Sequence, residues 1–342
     1  MDVSALRHHG DVDAAPGLLD FAVNVRGSRP PDWLRARLSS RLDDLAGYPS
    51  AAEDLATREQ VALRHGRTAD EVLLLAGAAE GFTLLPKLQS RLAAVVHPSF
   101  TEPELALREA AVPVKRVVLS RPWTLEQAMV PEEADLVVLG NPTNPTSVLH
   151  PREAVLALRR AGRVVVVDEA FADAVPGEPE SLAGQPLSDV LVLRSLTKTW
   201  ALAGLRAGYI LGPPELLSRL SHGRAHWPLG TMQLEAIRAC CEPAAVQWAE
   251  EQAAEIARER ALMQELLGEW VLGQAAGPFL LLRVPEGERV RQHLRASGIA
   301  VRRCDTFPGL TADHLRVAVR GATEARRLAQ ALTQALTEVL SQ

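Results

Sequence analysis

The sequence predicts an α/β fold, with a large domain built on a mostly parallel sheet and a smaller α+β domain after it. The first observation is a series of short, almost wholly apolar segments separated by segments of helical periodicity. Strands that are apolar on both faces are typical of a parallel sheet covered by helices on both sides. The second observation is a change of pattern after about residue 230, which indicates a separate unit.

The predicted strands of the large domain leave room between them for crossover helices. They span residues 72–76, 93–97, 114–119, 135–140, 163–168, 190–194 and 207–211. A helical pattern at 151–161 fills one of these crossovers. We therefore expect the large domain over residues 40–230.

The rest of the chain predicts a smaller unit. A helical stretch at about 232–270 precedes strands at 278–284, 298–303 and 314–319, and a helix begins at about residue 323. Three strands with a terminal helix favour a small α+β domain over residues 231–342. Residues 1–39 form an N-terminal segment that could lie against either domain.

Composition excludes several classes of partner. The net charge is −5, and no run of basic residues exceeds two, so neither a nucleic acid nor a membrane surface is expected as a partner. No apolar stretch is long enough to span a bilayer or to act as a signal peptide, which favours a cytoplasmic protein. The three cysteines, Cys240, Cys241 and Cys304, have the spacing of neither a metal site nor a disulfide framework.

Lysine is rare in this chain, and one lysine lies in a polar segment directly after a predicted strand. Only three of the 37 basic residues are lysines. Where arginine has nearly replaced lysine, a remaining lysine indicates a need for a primary amine, which can lose its proton and attack a carbonyl carbon. Lys198 follows Ser195 and Thr197, and Arg206 comes eight residues later. This segment predicts pyridoxal-phosphate chemistry.

Three other strand ends carry residues that suit the same cofactor, and open α/β sheets bind ligands at these ends. The Gly77–Gly81 turn opens a helix and could bind a phosphate, or be an ordinary tight turn. Asn144 lies between two Asn-Pro pairs, which could aim its amide or simply make a rigid turn. Asp168 could pair with a protonated pyridine nitrogen or cap a helix. Together with Lys198 they favour a site for pyridoxal phosphate.

Further motifs are spread over nearly the whole chain. They are His9-Gly10, Leu19-Asp20-Phe21 with Asn24, Tyr48-Pro49, Pro98-Ser99-Phe100-Thr101-Glu102, Asn144-Pro145-Thr146, Asp168-Glu169-Ala170-Phe171, Arg194-Ser195-Leu196-Thr197-Lys198, Gly204-Leu205-Arg206 and Arg316-Val317-Ala318-Val319-Arg320. In these motifs the sequence resembles the fold type I, class I/II-like aminotransferases. It is most similar to the threonine-phosphate decarboxylases of cobalamin biosynthesis, and next to the histidinol-phosphate aminotransferases. The resemblance implies a three-layer, aspartate aminotransferase-like large domain.

The resemblance also implies a role for each matching residue. Lys198 would bond covalently to the cofactor, Asp168 would pair with its ring nitrogen and Asn144 with its ring hydroxyl. Phe100 would stack on the ring. The cofactor phosphate would be bound by the backbone of Ala78 and Ala79, by Ser195 and Arg206, and by Tyr48 from a second subunit, which implies a homodimer.

Five residues are expected to bind the substrate. Arg316 would hold an α-carboxylate as a planar fork, a geometry that lysine does not reproduce. His9, Arg302 and Arg320 would supply positive charge for a substrate phosphate, and Asn24 belongs to the same expected set. His9 could instead be a solvated terminal residue, and Arg302 a surface residue of a strand.

Several positions differ from the family pattern and leave the substrate open. Arg26 and Arg29 lie where the family has an apolar turn, Ser147 replaces a glycine, and Pro103 stands where an aromatic residue is usual. Arg26 and Arg29 could enlarge an anion site or be surface charges. Ala78 and Ala79 also replace the polar or glycine residues common in the family's turn.

We expect decarboxylation of O-phospho-L-threonine to aminopropanol phosphate. The alternative is an aminotransferase acting on histidinol phosphate or a related amino acid, with 2-oxoglutarate or glutamate. A non-catalytic protein of the same fold is disfavoured by the complete set of catalytic residues. A nucleotide-binding protein is disfavoured because no Gly-x-x-x-x-Gly-Lys loop follows a strand.

Overall fold

The computed structural model describes residues 6–341, so the first five residues of the predicted N-terminal segment lie outside the described part. The strands within it are β1 (Leu19–Asp20), β2 (Val72–Leu75), β3 (Ala93–His97), β4 (Val114–Val118), β5 (Leu136–Gly140), β6 (Val164–Asp168), β7 (Val190–Ser195), β8 (Gly208–Leu211), β9 (Phe279–Arg283), β10 (Ile299–Ala300), β11 (Arg302–Arg303) and β12 (His314–Ala318).

The α-helices of the same residues lie between some of these strands and after them. They are α1 (Gly10–Asp13), α2 (Asp32–Ser39), α3 (Ala51–His65), α4 (Ala78–Leu84), α5 (Glu102–Glu109), α6 (Arg152–Leu156), α7 (Pro214–Ser221), α8 (Thr231–Cys240), α9 (Pro243–Leu267), α10 (Gly287–Ala296) and α11 (Ala322–Leu340).

Strands β2 to β8 form one seven-stranded sheet in the order β2-β8-β7-β6-β5-β3-β4. All neighbours pair in parallel except β8, which is antiparallel to β2 and to β7. The prediction of a mostly parallel sheet in an α/β fold is confirmed. The predicted strands agree with the observed ones to within one residue at each end, because a doubly covered sheet requires apolar residues throughout each strand.

The two faces of the sheet build two separate cores. In β7, Val190 and Val192 belong to one core, whereas Leu191 and Leu193 belong to the core on the opposite face. This follows from the two-residue period of a strand. Burial on both faces fixes the register of the central strands, and hence the positions of the residues that follow them.

The register places the chemistry of the chain at one edge of the sheet. Gly140 at the end of β5 pairs with Asp168 at the end of β6, and Asp168 pairs with Leu193 of β7. The segments that follow β5, β6 and β7 therefore leave the sheet side by side. Asn144, Asp168 and Lys198 lie on or directly after these strand ends.

The C-terminal part has a three-stranded antiparallel sheet in the order β11-β12-β9, which is contacted by α9 at β9 and by α10 at β12. The prediction of a single strand at 298–303 is wrong in one respect, because this segment forms two short strands. Strand β10 pairs in parallel with β1 of the N-terminal segment, whereas β11 pairs with β12.

Two predicted helices are shorter than expected. The stretch at 232–270 is divided between α8 and α9, because Pro243 has no N–H to continue a helix and is instead suited to begin one. The helix predicted at 151–161 ends at Leu156. The guanidinium of the buried Arg163 binds the carbonyl of Leu158 at 3.0 Å, so this part of the chain is held as a turn.

The N-terminal segment contacts both parts of the molecule. Phe21, next to β1, belongs to the core of the C-terminal part, whereas Leu34 and Leu38 of α2 belong to a core of the large sheet. Leu234 of α8 also joins the core of the large sheet. The predicted boundaries of the large domain, at residues 40 and 230, stay a prediction, as does the start of the small domain at residue 231.

None of the helices in residues 6–341 combines the length and the apolar character needed to cross a membrane. In the same residues, no group of three or more His, Cys, Asp or Glu side chains is placed to hold a metal ion.

Candidate active site

A cavity of about 500 Å³ opens at the carboxyl ends of β5, β6 and β7. The N-terminal segment, the large sheet and the C-terminal part all contribute to its walls. Of the residues predicted for the site, the cavity is lined by His9, Asn24, Ala78, Ala79, Phe100, Asn144, Asp168, Ser195, Lys198, Arg206, Arg302 and Arg316. Tyr48 and Arg320 do not line it.

Lys198 lies three residues beyond the end of β7, on the wall of the cavity. Burial lowers the pKa of its amine to about 8, with the charges of Arg316 and Arg206 adding to the effect and that of Asp168 opposing it. Its backbone carbonyl accepts hydrogen bonds from the N–H groups of Arg26 and Ala201 at 2.9 and 3.3 Å. The amine therefore has an appreciable neutral fraction near neutral pH, as a nucleophile or a proton carrier requires.

Asp168 is the last residue of β6, and one of its carboxylate oxygens accepts the N–H of Ala170 at 3.1 Å. Burial raises the pKa of this carboxyl group to about 6, in spite of the Ala170 N–H and the positive charge of Lys198. The negative charge of Glu169 adds to the rise. Asp168 is thus ionised at neutral pH and can pair with a protonated ring nitrogen.

The turn between β2 and α4 brings backbone N–H groups close to a guanidinium. Gly77 has a φ of +84°, and a Cβ at this position would lie 2.7 Å from Nη2 of Arg206. The hydroxyl of Ser195 lies 2.8 Å from that of Thr197 in the same cavity. Helix-start N–H groups, hydroxyls and a guanidinium form a donor set that suits a phosphate.

Arg316 stands in the middle of β12 and reaches the cavity from the C-terminal part. Its Nη1 donates to Oδ1 of Asn144 at 2.6 Å, and its Nη2 donates to the carbonyl of Ala22. Burial, with the charge of Arg302 adding, lowers its pKa to about 9, so the guanidinium stays charged at neutral pH. Its Nε and the Oδ1 of Asn24 are buried without a hydrogen-bond partner among the described residues.

Such unpartnered buried atoms are uncommon and require an explanation. A carboxylate bound at this end of the cavity would accept from the free N–H of Arg316.

The basic side chains beside Arg316 are already engaged, and Arg302 lies directly opposite Arg316 in the pairing of β11 with β12. Nε2 of His9 lies 2.5 Å from a carboxylate oxygen of Glu102, and the His9 ring lies against Phe100 with 5.4 Å between the centroids. Arg302 donates to the carbonyl of His8 at 2.7 Å and to the hydroxyl of Thr306 at 2.9 Å. An anion bound here would compete with Glu102 for His9.

Asp11, Asp13 and Glu102 are acidic residues for which sequence reasoning gave no role. Asp11 and Glu102 line the cavity, and Asp13 lies 3.4 Å from Arg302. Glu102 belongs to a motif noted above, but its contact with His9 joins residues 93 positions apart. Nothing in a single sequence signals such a pairing. Phe171 and Phe307 also line the cavity.

Arg320 is used to hold the N-terminal segment. Its guanidinium donates to the backbone carbonyls of Asp20 at 3.0 Å, Val23 at 2.7 Å and Val319 at 3.1 Å. The structure therefore does not bring this arginine to the cavity with Arg302 and Arg316, since its donors are aimed at the backbone.

Tyr48 lies on the surface of the chain with 78% of its area exposed, stacked on Trp227 at 4.4 Å between ring centroids. The two arginines left open by the sequence do not reach the cavity. Arg26 forms ion pairs with Glu255 and Glu259 of α9, and Arg29 lies 3.3 Å from Asp32 at the surface.

A buried lysine amine, a carboxylate on the neighbouring strand and a phosphate-binding corner at the ends of a parallel sheet define a pyridoxal-phosphate-dependent enzyme. The chain matches the model of the family "Aminotransferase class I and II" over residues 17–333, and it belongs to this family. The predicted family, its cofactor and the aspartate aminotransferase-like fold are thereby confirmed.

The similar proteins include histidinol-phosphate aminotransferases and threonine-phosphate decarboxylases. A histidinol-phosphate aminotransferase of Mycobacterium tuberculosis is 58% identical over 324 residues, which is 93% of this chain and 88% of that protein. The threonine-phosphate decarboxylase of Salmonella typhimurium is 30% identical over 334 residues, 92% of this chain and 90% of that protein. The crystal structure of the histidinol-phosphate aminotransferase from Clostridium acetobutylicum superposes with a TM-score of 0.87 at 23% identity, covering 94% of this chain and 100% of that one.

Proposed function

We propose that this enzyme is an aminotransferase that passes the amino group of histidinol phosphate, or of a related amine, to 2-oxoglutarate. The observation that carries the proposal is the 58% identity, over 93% of the chain, to a relative that bears the name histidinol-phosphate aminotransferase. The sequence alone favoured the decarboxylase first and this activity second. The relatives reverse that preference.

The residues present fit the cofactor. Lys198 would hold it through its amine, Asp168 would pair with its ring nitrogen and Asn144 with its ring hydroxyl. The turn at Ala78 and Ala79 would bind its phosphate together with Ser195 and Arg206, and Phe100 would contact the ring. When bound, the cofactor acts as an electron sink that weakens the bonds at the amine-bearing carbon of the substrate.

Lys198 also serves as the proton carrier. Its pKa of about 8 lets Nζ take a proton from the amine-bearing carbon and return it elsewhere without a large energetic cost in either direction. Arg316 and Arg206, whose charges help to lower this pKa, thereby keep part of the amine population neutral. Burial of the cavity wall limits access of water during the transfer.

An aminotransferase must accept two unlike substrates in turn at one site. Histidinol phosphate carries a phosphate but no carboxylate, whereas glutamate and 2-oxoglutarate carry carboxylates. Arg316 suits the carboxylate that glutamate and 2-oxoglutarate share, because its buried Nε–H has no partner among the described residues, whereas the unpartnered atom of Asn24 is an acceptor oxygen. His9 and Arg302 suit the phosphate, which displaces Glu102 from His9.

Decarboxylation of O-phospho-L-threonine is the second candidate, favoured by the 30% identity to the Salmonella decarboxylase. This substrate carries a carboxylate and a phosphate together. Bound with its carboxylate at Arg316, it would extend toward His9 and Arg302. The two candidates thus use the same basic side chains of the cavity, and would differ in which bond of the substrate is oriented for cleavage.

We also propose a cytoplasmic homodimer in which Tyr48 completes the cofactor phosphate site of the other subunit. Support comes from the exposure of this residue together with that of Leu42, Leu45 and Trp227, each more than half exposed. Exposed apolar side chains of this size concentrated in one short segment are typical of an interface.

The test is a pair of half-reactions on the cofactor-loaded enzyme. Histidinol phosphate added without any keto acid should abolish the visible absorbance of the lysine-bound cofactor, and 2-oxoglutarate should then restore it with formation of glutamate. Release of CO2 from O-phospho-L-threonine, with no spectral response to histidinol phosphate, would instead establish the second candidate.

A further inference from the structure

A group of buried charged side chains lies directly beneath the proposed cofactor site. Arg194, in β7, is 3% exposed and Glu169, after β6, is 1% exposed. Arg194 Nη1 donates to Glu169 at 3.1 Å and to Glu178 at 2.5 Å, and its Nη2 donates to the second oxygen of Glu178 at 3.0 Å. This Arg194 bridge is not used by the mechanism above.

The bridge is attached to both strands that carry the cofactor-binding residues. Glu169 directly follows Asp168, and its backbone N–H donates to the carbonyl of Leu193 in β7 at 2.9 Å. Arg194 precedes Ser195 and lies four residues before Lys198. The bridge therefore ties the end of β6 to the end of β7 at the level of the site.

The Glu169 carboxylate also fixes the loop that follows. One oxygen accepts the N–H of Leu182 at 2.7 Å and the other accepts the hydroxyl of Ser181 at 2.6 Å. None of these hydrogen-bond partners is among the residues that line the cavity.

The bridge has an electrostatic consequence for its neighbour. Two consecutive buried carboxylates, at Asp168 and Glu169, repel each other, and each disfavours ionisation of the other. Burial raises the pKa of Glu169 in spite of Arg194, whereas for Glu178 the charge and hydrogen bonds of Arg194 outweigh burial and bring the pKa to about 2. The positive charge of the Arg194 guanidinium therefore offsets the negative charges of Glu169 and Glu178.

Several ionisable groups lie near Asp168 and near the Arg194 bridge. Asp168 is influenced by Lys198 and Glu169. Around Arg194 lie Glu169, Glu178, Asp173, Arg64, His65 and Tyr209. Arg64 contacts Glu178 at 3.2 Å, and the charge of Arg67 also acts on Glu169. Among the described contacts, Arg194 is the arginine that donates a hydrogen bond to Glu169.

We propose that Arg194 is a positioning residue, which holds the ends of β6 and β7 together and neutralises Glu169 so that Asp168 stays ionised against the cofactor. This inference rests on the role proposed above for Asp168. It assigns to the arginine an effect on cofactor binding that does not depend on which amine is the substrate.

The experiment measures the affinity of the cofactor-free enzyme for pyridoxal phosphate from pH 5 to pH 8, without any amino acid substrate. In Arg194→Met, Glu169 is left unbalanced, so the dissociation constant at pH 7 should rise at least about tenfold and the pH at which binding is lost should move upward. Removing both charges in Arg194→Met/Glu169→Gln should recover most of this affinity. A purely structural role predicts no recovery.

Arg163→Met is the matched control, since this arginine is also buried next to β6 but at the opposite end, and donates only to backbone carbonyls. It should lower the thermal midpoint without moving the pH profile. An unchanged profile in Arg194→Met, a double variant no better than the single one, or the same profile shift in Arg163→Met would overturn the inference.

Two further variants keep the test decisive. If Arg194→Met fails to fold, Glu169→Gln, which leaves Arg194 paired with Glu178, should move the pH of cofactor loss downward by about half a unit, and no movement would overturn the inference. Asp168→Asn should abolish the pH dependence. If it does not, the role proposed for Asp168 fails and the inference with it, whereas failure in the Arg194 and Glu169 variants alone leaves that role intact.

Discussion

The pKa values of the ionisable side chains around the cavity are shifted mainly by burial, and charged neighbours add to each shift or oppose it. The pKa of Lys198 is lowered to about 8, that of Asp168 is raised to about 6 and that of Arg316 is lowered to about 9. At neutral pH these values leave Asp168 mostly ionised, Arg316 charged and a minor fraction of the Lys198 amine neutral. Asp173 differs, because its carboxylate is buried but neither oxygen has a hydrogen-bond partner among the described residues.

Asp173→Asn therefore changes stability in a pH-dependent way. Burial raises the pKa of Asp173 to about 6 from an ordinary value of 3.8, so the wild-type chain loses stability as the pH rises through this interval. The asparagine variant has no charge to bury. Its unfolding free energy, relative to wild type, should increase by about 2–3 kcal/mol between pH 4 and pH 7. The check is urea unfolding of the cofactor-free proteins, and an equal difference at both pH values would contradict this interpretation.

Individual helices and strands show which parts of the fold could be predicted from the sequence. The strands of the large sheet were predictable because each is apolar throughout and is bounded by polar or turn residues. The division of 298–303 was not, since β10 pairs with β1 about 280 residues earlier in the chain. The break before α9 had a visible signal, Pro243, which should have ended the predicted helix.

The turn from β2 into α4 requires a glycine for two reasons, the φ of Gly77 and the closeness of Arg206. Gly77→Ala should lower the affinity for pyridoxal phosphate about tenfold as Arg206 is displaced, in addition to a backbone cost of about 1 kcal/mol. Gly66→Ala is the control. Gly66 has a similar φ of +65° at the end of α3, with no atom within 4 Å of an added Cβ. Equal cofactor affinity in the two variants would show that only backbone strain matters.

The attachment of the N-terminal segment depends on Arg320. Arg320→Met keeps the length of the side chain but leaves the carbonyls of Asp20 and Val23 without their donor, so unfolding free energy should fall by about 2–3 kcal/mol. The exposed Arg326→Met should have little effect. Thermal unfolding and substrate titration distinguish a role of Arg320 in attaching the N-terminal segment from a role in binding the substrate. A raised KM for the phosphate substrate with unchanged stability would support the original expectation that Arg320 binds substrate.

At the scale of the whole molecule, the cavity is assembled from segments that are distant in sequence. The residues on the large sheet could be predicted, because strand ends of a parallel sheet meet at one edge. Arg316 and His9 were found through family resemblance alone. The pairing of His9 with Glu102, and the use of Arg320 on backbone carbonyls, depend on how three parts of the chain come together, which local sequence patterns do not encode.

A homodimer would cover the exposed side chains of Leu42, Leu45, Tyr48 and Trp227. Sedimentation of the wild-type protein should give twice the mass of the chain, and Trp227→Glu should shift it toward the monomer with weaker retention of the cofactor. Exposed Arg326→Met serves again as the control. A wild-type monomer that retains its cofactor at micromolar concentration would contradict the proposed role of Tyr48.

The most direct test of the proposed activity follows both products from one enzyme preparation. Histidinol phosphate with 2-oxoglutarate should yield glutamate at a rate that falls at least about a thousandfold in Lys198→Ala and is unchanged in Lys115→Ala, which removes an exposed lysine of β4. O-phospho-L-threonine should release no CO2. Release of CO2 that depends on Lys198, without formation of glutamate, would contradict the aminotransferase and establish the decarboxylase.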